Sequence, residues 1–200
     1  MQNFAVLASG RGGNLQAIIN AVKSKKIKAN LKVVVSDKAD AFALKRAKKA
    51  RIASIYVAPK DYTDRQSFDC KVLECLREYK IDFVVLAGYM RLLSAHFIRQ
   101  YPNKIINIHP ALLPSFKGIN GIRDALEYGV KITGVSVHFV NEEMDAGTII
   151  AQETVKITSK DTLKSLAQKI HKVEHKLYPE VIGWFAQKRL KVIGRKTVLR

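Results

Sequence analysis

The segment FAVLASGRGGNLQAII, residues 4–19, decides the fold class of this chain. Its apolar start predicts a buried strand at residues 4–8, and the apolar positions of residues 15–24 recur with the spacing of an α-helix. Three glycines lie between the two elements. A strand, a glycine-rich turn and a helix in this order are typical of α/β proteins with a parallel sheet. We therefore expect the chain to open with a Rossmann-like unit.

The same alternation of strands and helices continues along the chain. Apolar runs predict further strands at residues 31–35, 54–57, 83–87, 105–109, 134–140 and 149–157. Helical periodicity predicts helices at residues 39–50, 64–79, 94–100, 122–128 and from Thr162 onward, the last interrupted near Pro179. With no internal repeat and no linker, this order predicts a single α/β domain, residues 1–190, on a doubly wound, mostly parallel sheet. Residues 191–200 are predicted to form a basic tail, frayed from Gly194.

Basic residues outnumber acidic residues by a wide margin. Lys and Arg total 35 against 17 Asp and Glu, a net charge of +18. Such a balance favours anionic partners, although a solvated basic surface is the simpler explanation. The basic clusters contain no interleaved aromatic residues for stacking on bases, so we expect no specific nucleic-acid partner. No apolar run approaches the roughly 20 residues of a membrane-spanning helix, so we expect no membrane partner.

The cysteines indicate the compartment. Cys70 and Cys75 are the only two, and both fall in one predicted helix. Positions five apart lie on different faces of a helix, which disfavours a disulfide. The N-terminus also has no basic leader followed by a long apolar run. Together these features predict a cytoplasmic protein with reduced thiols.

The glycine-rich turn at residues 8–14 is the first candidate binding site. Glycines allow main-chain amides to approach an anion, and the start of the next helix adds about half a unit of positive charge. The pattern is not the dinucleotide fingerprint, because the third glycine is replaced by Leu15. It is not a nucleoside-triphosphate loop either, since no Gly-Lys-Ser/Thr follows. The alternatives that remain are a phosphate site and a tight structural turn.

The segment IINIHP, residues 105–110, is the second candidate site. Alternate side chains of a strand point the same way, so Asn107 and His109 share one face. Pro110 ends the strand, and the ends of strands are where α/β proteins place their chemistry. An amide beside an imidazole can polarise a carbonyl and stabilise the charge on its oxygen. The structural alternative is a capping Asn and a buried His with its hydrogen bonds satisfied.

Asp145 can complete this site if its loop lies near the second strand. It follows the strand at residues 134–140, whose Ser136 and His138 alternate with apolar residues and are expected to support the site. An Asp beside His109 would fix the orientation of the imidazole and favour its charged form. Asp145 as a plain turn residue before Gly147 is one alternative. A metal site of two histidines and Asp145 is another, but it leaves Asn107 without a role.

The last predicted helix carries polar residues at helical spacing, namely His171, Glu174, His175 and Tyr178. Their order does not fit the H-E-x-x-H pattern of zinc proteases, so a structural face is the simpler interpretation of the spacing. No Gly-x-Ser-x-Gly elbow is present, and neither cysteine has a histidine nearby in sequence. We therefore do not expect covalent catalysis.

Six segments of the chain resemble the glycinamide ribonucleotide formyltransferase family, also called phosphoribosylglycinamide formyltransferases. They agree with the family in order and spacing from Ala5 to about Leu190. The segments are SGRGGNLQAI (residues 9–18), LAGYMRLL (86–93), INIHPALLP (106–114), GVSVHFV (134–140), DAG (145–147) and EHKLYP (174–179). The resemblance implies a formyltransferase fold and transfer of a formyl group from 10-formyltetrahydrofolate to the amine of glycinamide ribonucleotide, a step of purine synthesis.

The resemblance also implies roles for individual residues. The catalytic trio would be Asn107, His109 and Asp145. A phosphate-binding half, about 1–100, would hold the ribonucleotide phosphate through Gly12, Gly13 and Asn14, and Glu174 would contact the same substrate. The folate-binding residues would be Arg65, Met90, Arg91, Leu92, Leu93 and Asn107, with the pterin near Leu93 and the loop at residues 141–145. The second half of the domain, about 100–190, would be the folate and catalytic half. It implies small-molecule partners, folate as co-substrate, no metal, and a monomer or weak homodimer.

The chain departs from the family at two places. Gly13 stands where several members have Ser, which removes a hydroxyl donor to the phosphate but keeps the amide. Asn120 and Gly121 stand where many members have a His, so a His contribution from the loop over the site is not expected.

Two relatives that share the formyl-transfer core are weaker matches by domain content. Methionyl-tRNA formyltransferase carries a further β-domain for tRNA, and formyltetrahydrofolate deformylase carries an N-terminal regulatory domain. From other classes, a nucleic-acid-binding protein lacks a recognition motif here. A nicotinamide dehydrogenase is disfavoured by Leu15.

Overall fold

A computed structural model describes all residues, 1–200. The chain forms a seven-stranded sheet with helices on both faces, followed by a two-stranded hairpin. The strands are β1 (Asn3–Leu7), β2 (Asn30–Ser36), β3 (Ala53–Tyr56), β4 (Phe83–Leu86), β5 (Ile105–His109), β6 (Ile132–Phe139), β7 (Ile149–Lys156), β8 (Leu190–Ile193) and β9 (Lys196–Leu199). The helices are α1 (Gly13–Lys23), α2 (Phe42–Lys49), α3 (Arg65–Glu78), α4 (Ala95–Gln100), α5 (Gly121–Tyr128) and α6 (Leu163–Ala186).

The sheet has the order β3-β2-β1-β4-β5-β6-β7. Strands β1 to β5 are parallel, whereas β6 and β7 run antiparallel to their neighbours. This confirms the predicted α/β class and the mostly parallel, doubly wound sheet. The strand order reverses between β1 and β4, and such a switch point leaves a crevice at the carboxyl ends of the strands. The glycine-rich turn and the segment after β4 both open onto this crevice.

Alternation along β1 shows how the two cores form. Phe4 and Val6 pack into the larger core, under α1, α2 and α6, while Ala5 and Leu7 pack into the smaller core under α3 and α4. Because both faces of β1 are covered, the strand is continuously apolar, as interior parallel strands are. Helix α3 begins at a capping box in which the Asp64 carboxylate accepts from the Ser67 amide at 2.7 Å. None of the six helices has both the length and the apolar character that a bilayer crossing requires.

Two expectations about the C-terminal part are wrong. Helix α6 is not interrupted at Pro179 but runs on to Ala186. Proline removes one helical hydrogen bond, and the burial of Tyr178, Pro179, Val181 and Ile182 against the sheet offsets that loss.

The basic tail is not frayed from Gly194. Gly194, with a φ of 58°, turns the chain between β8 and β9. The hairpin is attached to the main sheet, because the Thr197 hydroxyl donates to the Ile149 carbonyl of β7 at 2.7 Å.

Candidate active site

Strand pairing brings the predicted catalytic residues to one place. In the antiparallel ladder of β5 and β6, Asn107 lies opposite His138 and His109 lies opposite Ser136. The loop that leaves β6 then returns Asp145 over the end of β5. Its Oδ2 lies 3.4 Å from His109 Nδ1, and its Oδ1 lies 3.6 Å from His138 Nε2. The structure therefore brings Asn107, His109 and Asp145 together.

Hydrogen-bond partners define the tautomer of His138. Its Nδ1 lies 2.8 Å from the Phe139 carbonyl, which only accepts, so Nδ1 carries the proton. Nε2 is then an acceptor, and Asn107 Nδ2 donates to it at 3.1 Å. The amide of Asn107 is thereby oriented, with one N–H committed to His138 and the other available. His138 thus fixes the direction of the amide group.

Both ring nitrogens of His109 face oxygen acceptors. Nε2 lies 2.7 Å from the Phe116 carbonyl, and Nδ1 faces the Asp145 carboxylate. A buried imidazole between two acceptors is best satisfied when both nitrogens carry protons. Either ring nitrogen of His109 is therefore placed to donate to an oxygen.

The carboxyl group of Asp145 is held in its ionised form. Burial raises its pKa, but the Gly118 amide at 2.9 Å and the charge of His109 together bring that pKa below its usual value. Asp145 itself has a φ of 51°, which turns its side chain back toward β5. An ionised, largely buried carboxylate beside a histidine is suited to holding and moving a proton.

Ser136 does not face the reacting groups. Its hydroxyl donates to the Ala111 carbonyl at 2.7 Å and accepts from the Leu113 amide at 2.9 Å and from Gln152 at 2.8 Å. It anchors the loop of residues 110–121, whose main chain contacts His109 and Asp145. The loop thus takes part through the Phe116 carbonyl and the Gly118 amide. No His side chain of the loop is involved, in keeping with Asn120 and Gly121.

A cavity of about 390 Å³ opens beside this trio. It lies between the segment after β4 and the loop of residues 141–145. All the predicted folate-binding residues line it, namely Arg65, Met90, Arg91, Leu92, Leu93 and Asn107. Its shape, concave and partly apolar with a few polar groups at one end, is typical of small-molecule sites.

Two arginines at the mouth of the cavity are placed beside Asp69. The guanidinium of Arg91 lies over the Phe68 ring at 4.4 Å, and its buried Nε has no partner. Burial raises the pKa of Asp69, although the Ser94 amide at 2.6 Å and the charges of Arg91 and Arg65 oppose that shift. Arg65 and Arg91 line the cavity, and a guanidinium group there suits an incoming carboxylate.

The glycine-rich turn adjoins the same cavity. Gly12 has a φ of 70°, and a side chain there would also press on Ala43 of α2, so glycine is required at this position. Helix α1 begins at Gly13 with free amides at its start. Ser9 connects the turn to the cavity wall, because its amide donates to the Gly88 carbonyl at 3.0 Å and its hydroxyl accepts from the Met90 amide at 2.9 Å.

Glu174 of α6 extends over this turn. It is buried, and its Oε2 accepts from Asn14 Nδ2 at 3.2 Å and from His171 Nδ1 at 2.9 Å. Two donors on one oxygen leave the other oxygen, Oε1, free for a ligand. His171 did not appear among the predicted site residues, although its position three residues before Glu174 places both on one helix face. The hydrogen bond that His171 donates to Glu174 raises the pKa of His171.

The trio therefore lines the cavity, and Ser9 connects the glycine-rich turn to the wall of the same cavity. A profile of the formyl transferase family matches residues 2–182. The chain is 44% identical to the phosphoribosylglycinamide formyltransferase of Bacillus subtilis, covering 91% of this chain and 93% of that relative. It is also 44% identical to the Escherichia coli enzyme of the same name, covering 95% and 90%.

The chain belongs to the phosphoribosylglycinamide formyltransferase family. The crystal structure of glycinamide ribonucleotide transformylase 1 from Symbiobacterium toebii superimposes with a TM-score of 0.98 at 43% identity, covering 100% of this chain and 94% of that one. This agreement confirms the predicted resemblance and the formyltransferase fold. Across the described residues, no cluster of three or more His, Cys, Asp or Glu side chains has the arrangement of a metal site.

Proposed function

We propose that this protein transfers the formyl group of 10-formyltetrahydrofolate to the amine of glycinamide ribonucleotide, a step of purine synthesis. The observation that carries the proposal is the convergence of Asn107, His109 and Asp145 in the wall of a cavity of about 390 Å³. Membership of the family supports the same reaction. The folate acts as co-substrate, and the reaction takes place in the cytoplasm.

Each substrate has a separate part of the site. The main-chain amides of Gly12, Gly13 and Asn14 hold the phosphate at the start of α1, where the helix dipole favours negative charge. Glu174 accepts from the ribonucleotide through its free oxygen. The pterin enters the cavity near Leu93. Arg65 and Arg91, which line the cavity, receive the carboxylates of the folate tail.

The reaction proceeds by direct attack of the amine on the formyl carbon. The new C–N bond turns the formyl oxygen into an oxyanion, and Asn107 and the protonated His109 donate hydrogen bonds to it. Such donors contribute roughly a few kcal/mol each. At His109 Nε2 the oxyanion takes the place of the Phe116 carbonyl as acceptor. The bond between the formyl carbon and the folate nitrogen then breaks.

Proton movement accompanies both steps. The attacking amine loses a proton, and the folate nitrogen gains one as it leaves. Asp145, ionised and next to His109, keeps the imidazolium charged and passes the proton through water between the two nitrogens. His138 holds Asn107 in the donating orientation, and Ser136 secures the loop that carries Phe116.

A coupled assay tests the proposal. Purified protein, glycinamide ribonucleotide and 10-formyltetrahydrofolate are mixed, and release of deformylated folate is followed together with formation of the formylated ribonucleotide. The proposal expects both products in equal amounts and no folate release without the ribonucleotide. Release of deformylated folate in the absence of the ribonucleotide would indicate a hydrolase. No release with or without the ribonucleotide would contradict the proposal.

A further inference from the structure

A second, larger concave surface lies outside the site described above. It is a groove of about 960 Å³ between α1 and α6, with Arg46 of α2 on its rim. We call it the α1/α6 groove. The residues that matter for its chemistry are Gln16, Asn20, Lys26, Arg46, Lys176 and Trp184. Gly13 and His175 lie at the end of the groove nearest the glycine-rich turn. No other residue of the site described above lines the groove.

Positive charge in the α1/α6 groove is not neutralised. Lys26, Arg46 and Lys176 form no ion pair, and Glu180 is the one carboxylate of the lining. Arg46 is nevertheless held in place, because its Nε donates to the Arg11 carbonyl and its Nη1 to Gln16 Oε1, both at 2.9 Å. A fixed, unpaired guanidinium in a concave surface is a binding group for an anion.

The far end of the groove suits a heterocyclic base. Gln16 donates to Asn20 Oδ1 at 3.0 Å and accepts from Arg46, so its amide group is used within the wall of the groove. Trp184, the only tryptophan of the chain, packs one part of its ring on the core and lines the groove with another. An exposed indole surface is a stacking platform for a base.

The charges and the ring are separated along the groove. Helix α1 runs from Gly13 for 11 residues, about 16 Å at 1.5 Å per residue. Arg46 and Lys176 lie toward the Gly13 end. Trp184 lies at the other end of the groove, where Gly183 of α6 is close to the Lys26 carbonyl. This length accommodates an extended nucleotide with its base at one end and its phosphates at the other.

We propose that the α1/α6 groove is a second ligand site, which binds a nucleoside polyphosphate with its base on Trp184 and its phosphates toward Arg46 and Lys176. The site differs from the formyl-transfer site in its residues and in its ligand. It reaches that site at a single point, where His175 lies against Gly13 of the phosphate-type turn. The assignment stands or falls independently of the formyl-transfer reaction.

Trp184 allows a direct test, because all tryptophan fluorescence of the protein comes from this residue. The full chain, without either substrate of the transfer reaction, is titrated with ATP, tripolyphosphate and adenosine. We expect saturable quenching by ATP, with a Kd at least tenfold lower than for tripolyphosphate or adenosine. Lys176→Gln should raise the Kd for ATP about tenfold, the effect of losing one charge-assisted hydrogen bond, whereas Lys26→Gln, at the Trp184 end, should change it little.

Lys172→Gln is the matched control, because this exposed lysine of α6 lies outside the groove. Its Kd for ATP should equal that of the unmodified protein. Absence of quenching, or equal affinity in all three lysine variants, overturns the proposal. Tripolyphosphate binding as tightly as ATP overturns the nucleotide assignment, since it indicates a general anion surface. Tighter binding of a single-stranded oligonucleotide also overturns it.

Discussion

Asp145 is the residue whose charge links the other members of the trio. It is the only carboxylate in contact with both His109 and His138, and its lowered pKa keeps it ionised. Asp145→Asn keeps the shape and removes the charge. We expect kcat to fall by at least about two orders of magnitude, the usual contribution of general acid–base catalysis. Steady-state kinetics measures the loss, and an unchanged melting temperature shows that the fold is intact. Near-normal turnover in this variant would show that the reaction does not need the Asp145 carboxylate.

His171 acts on the substrate through Glu174. His171→Ala removes the donor to Oε2 and leaves Asn14 as the only side chain that orients the carboxylate. We expect the KM for the ribonucleotide to rise about three- to tenfold with kcat nearly unchanged, because the lost hydrogen bond contributes about 1 kcal/mol at a partly exposed site. His171→Asn places an amide donor close to Nδ1 and should recover most of the affinity. Equal KM values in both variants would show that the contact is only structural.

The same contact gives stability a pH dependence. The pKa of His171 is raised by its hydrogen bond to Glu174, so folding favours the protonated imidazole. Its contribution is therefore complete below the unfolded pKa of about 6.5 and is lost as the pH rises through the higher folded pKa. Thermal melting should show a larger difference between the unmodified protein and His171→Ala at pH 6 than at pH 9. A difference that grows with pH contradicts this assignment.

At the scale of the elements, the hydroxyl group of Tyr178 connects α6 to two strands of the sheet. Tyr178 is fully buried, and its hydroxyl lies 2.7 Å from the Leu86 carbonyl and 2.8 Å from the Ile106 carbonyl. Leu86 is the last residue of β4, and Ile106, near the start of β5, directly precedes Asn107. A single side chain thus joins α6 to the two strands that border the cavity.

Removal of this hydroxyl should weaken the fold more than the chemistry. Tyr178→Phe leaves two buried carbonyls with one donor fewer, at a cost of about 1–2 kcal/mol. For a chain of this size we expect a decrease in Tm of roughly 2–8 °C. Calorimetry measures the decrease, and Tyr128→Phe is the control because the Tyr128 ring is 79% exposed. A Tm decrease of equal size in both variants would show that the two strand carbonyls do not depend on Tyr178.

For the molecule as a whole, the sequence predicts those contacts that follow from the regular periodicity of strands and helices. Asn107 and His109 were placed on one face because strands alternate, and the pairing of β5 with β6 brought His138 opposite. The contacts of Phe116 and Gly118 are made by main-chain groups, which side-chain patterns do not reveal. The hairpin β8–β9 depends on a contact with β7, 48 residues earlier for Thr197, and so was missed.

The net charge of +18 concerns the whole surface rather than any single contact. Both proposed substrates are anionic, so the protein's field should raise their encounter rate, and salt should reduce that effect within a Debye length of about 10 Å at 0.1 M. We expect kcat/KM for the ribonucleotide to fall severalfold between 0.02 and 0.3 M salt, roughly the range over which that length shrinks from about 20 to 6 Å. At saturating substrate, kcat should change little, because chemistry inside a closed site is screened less. A flat salt profile of kcat/KM would mean that the basic surface serves solvation alone, and a parallel fall in kcat would place the salt effect on the trio itself.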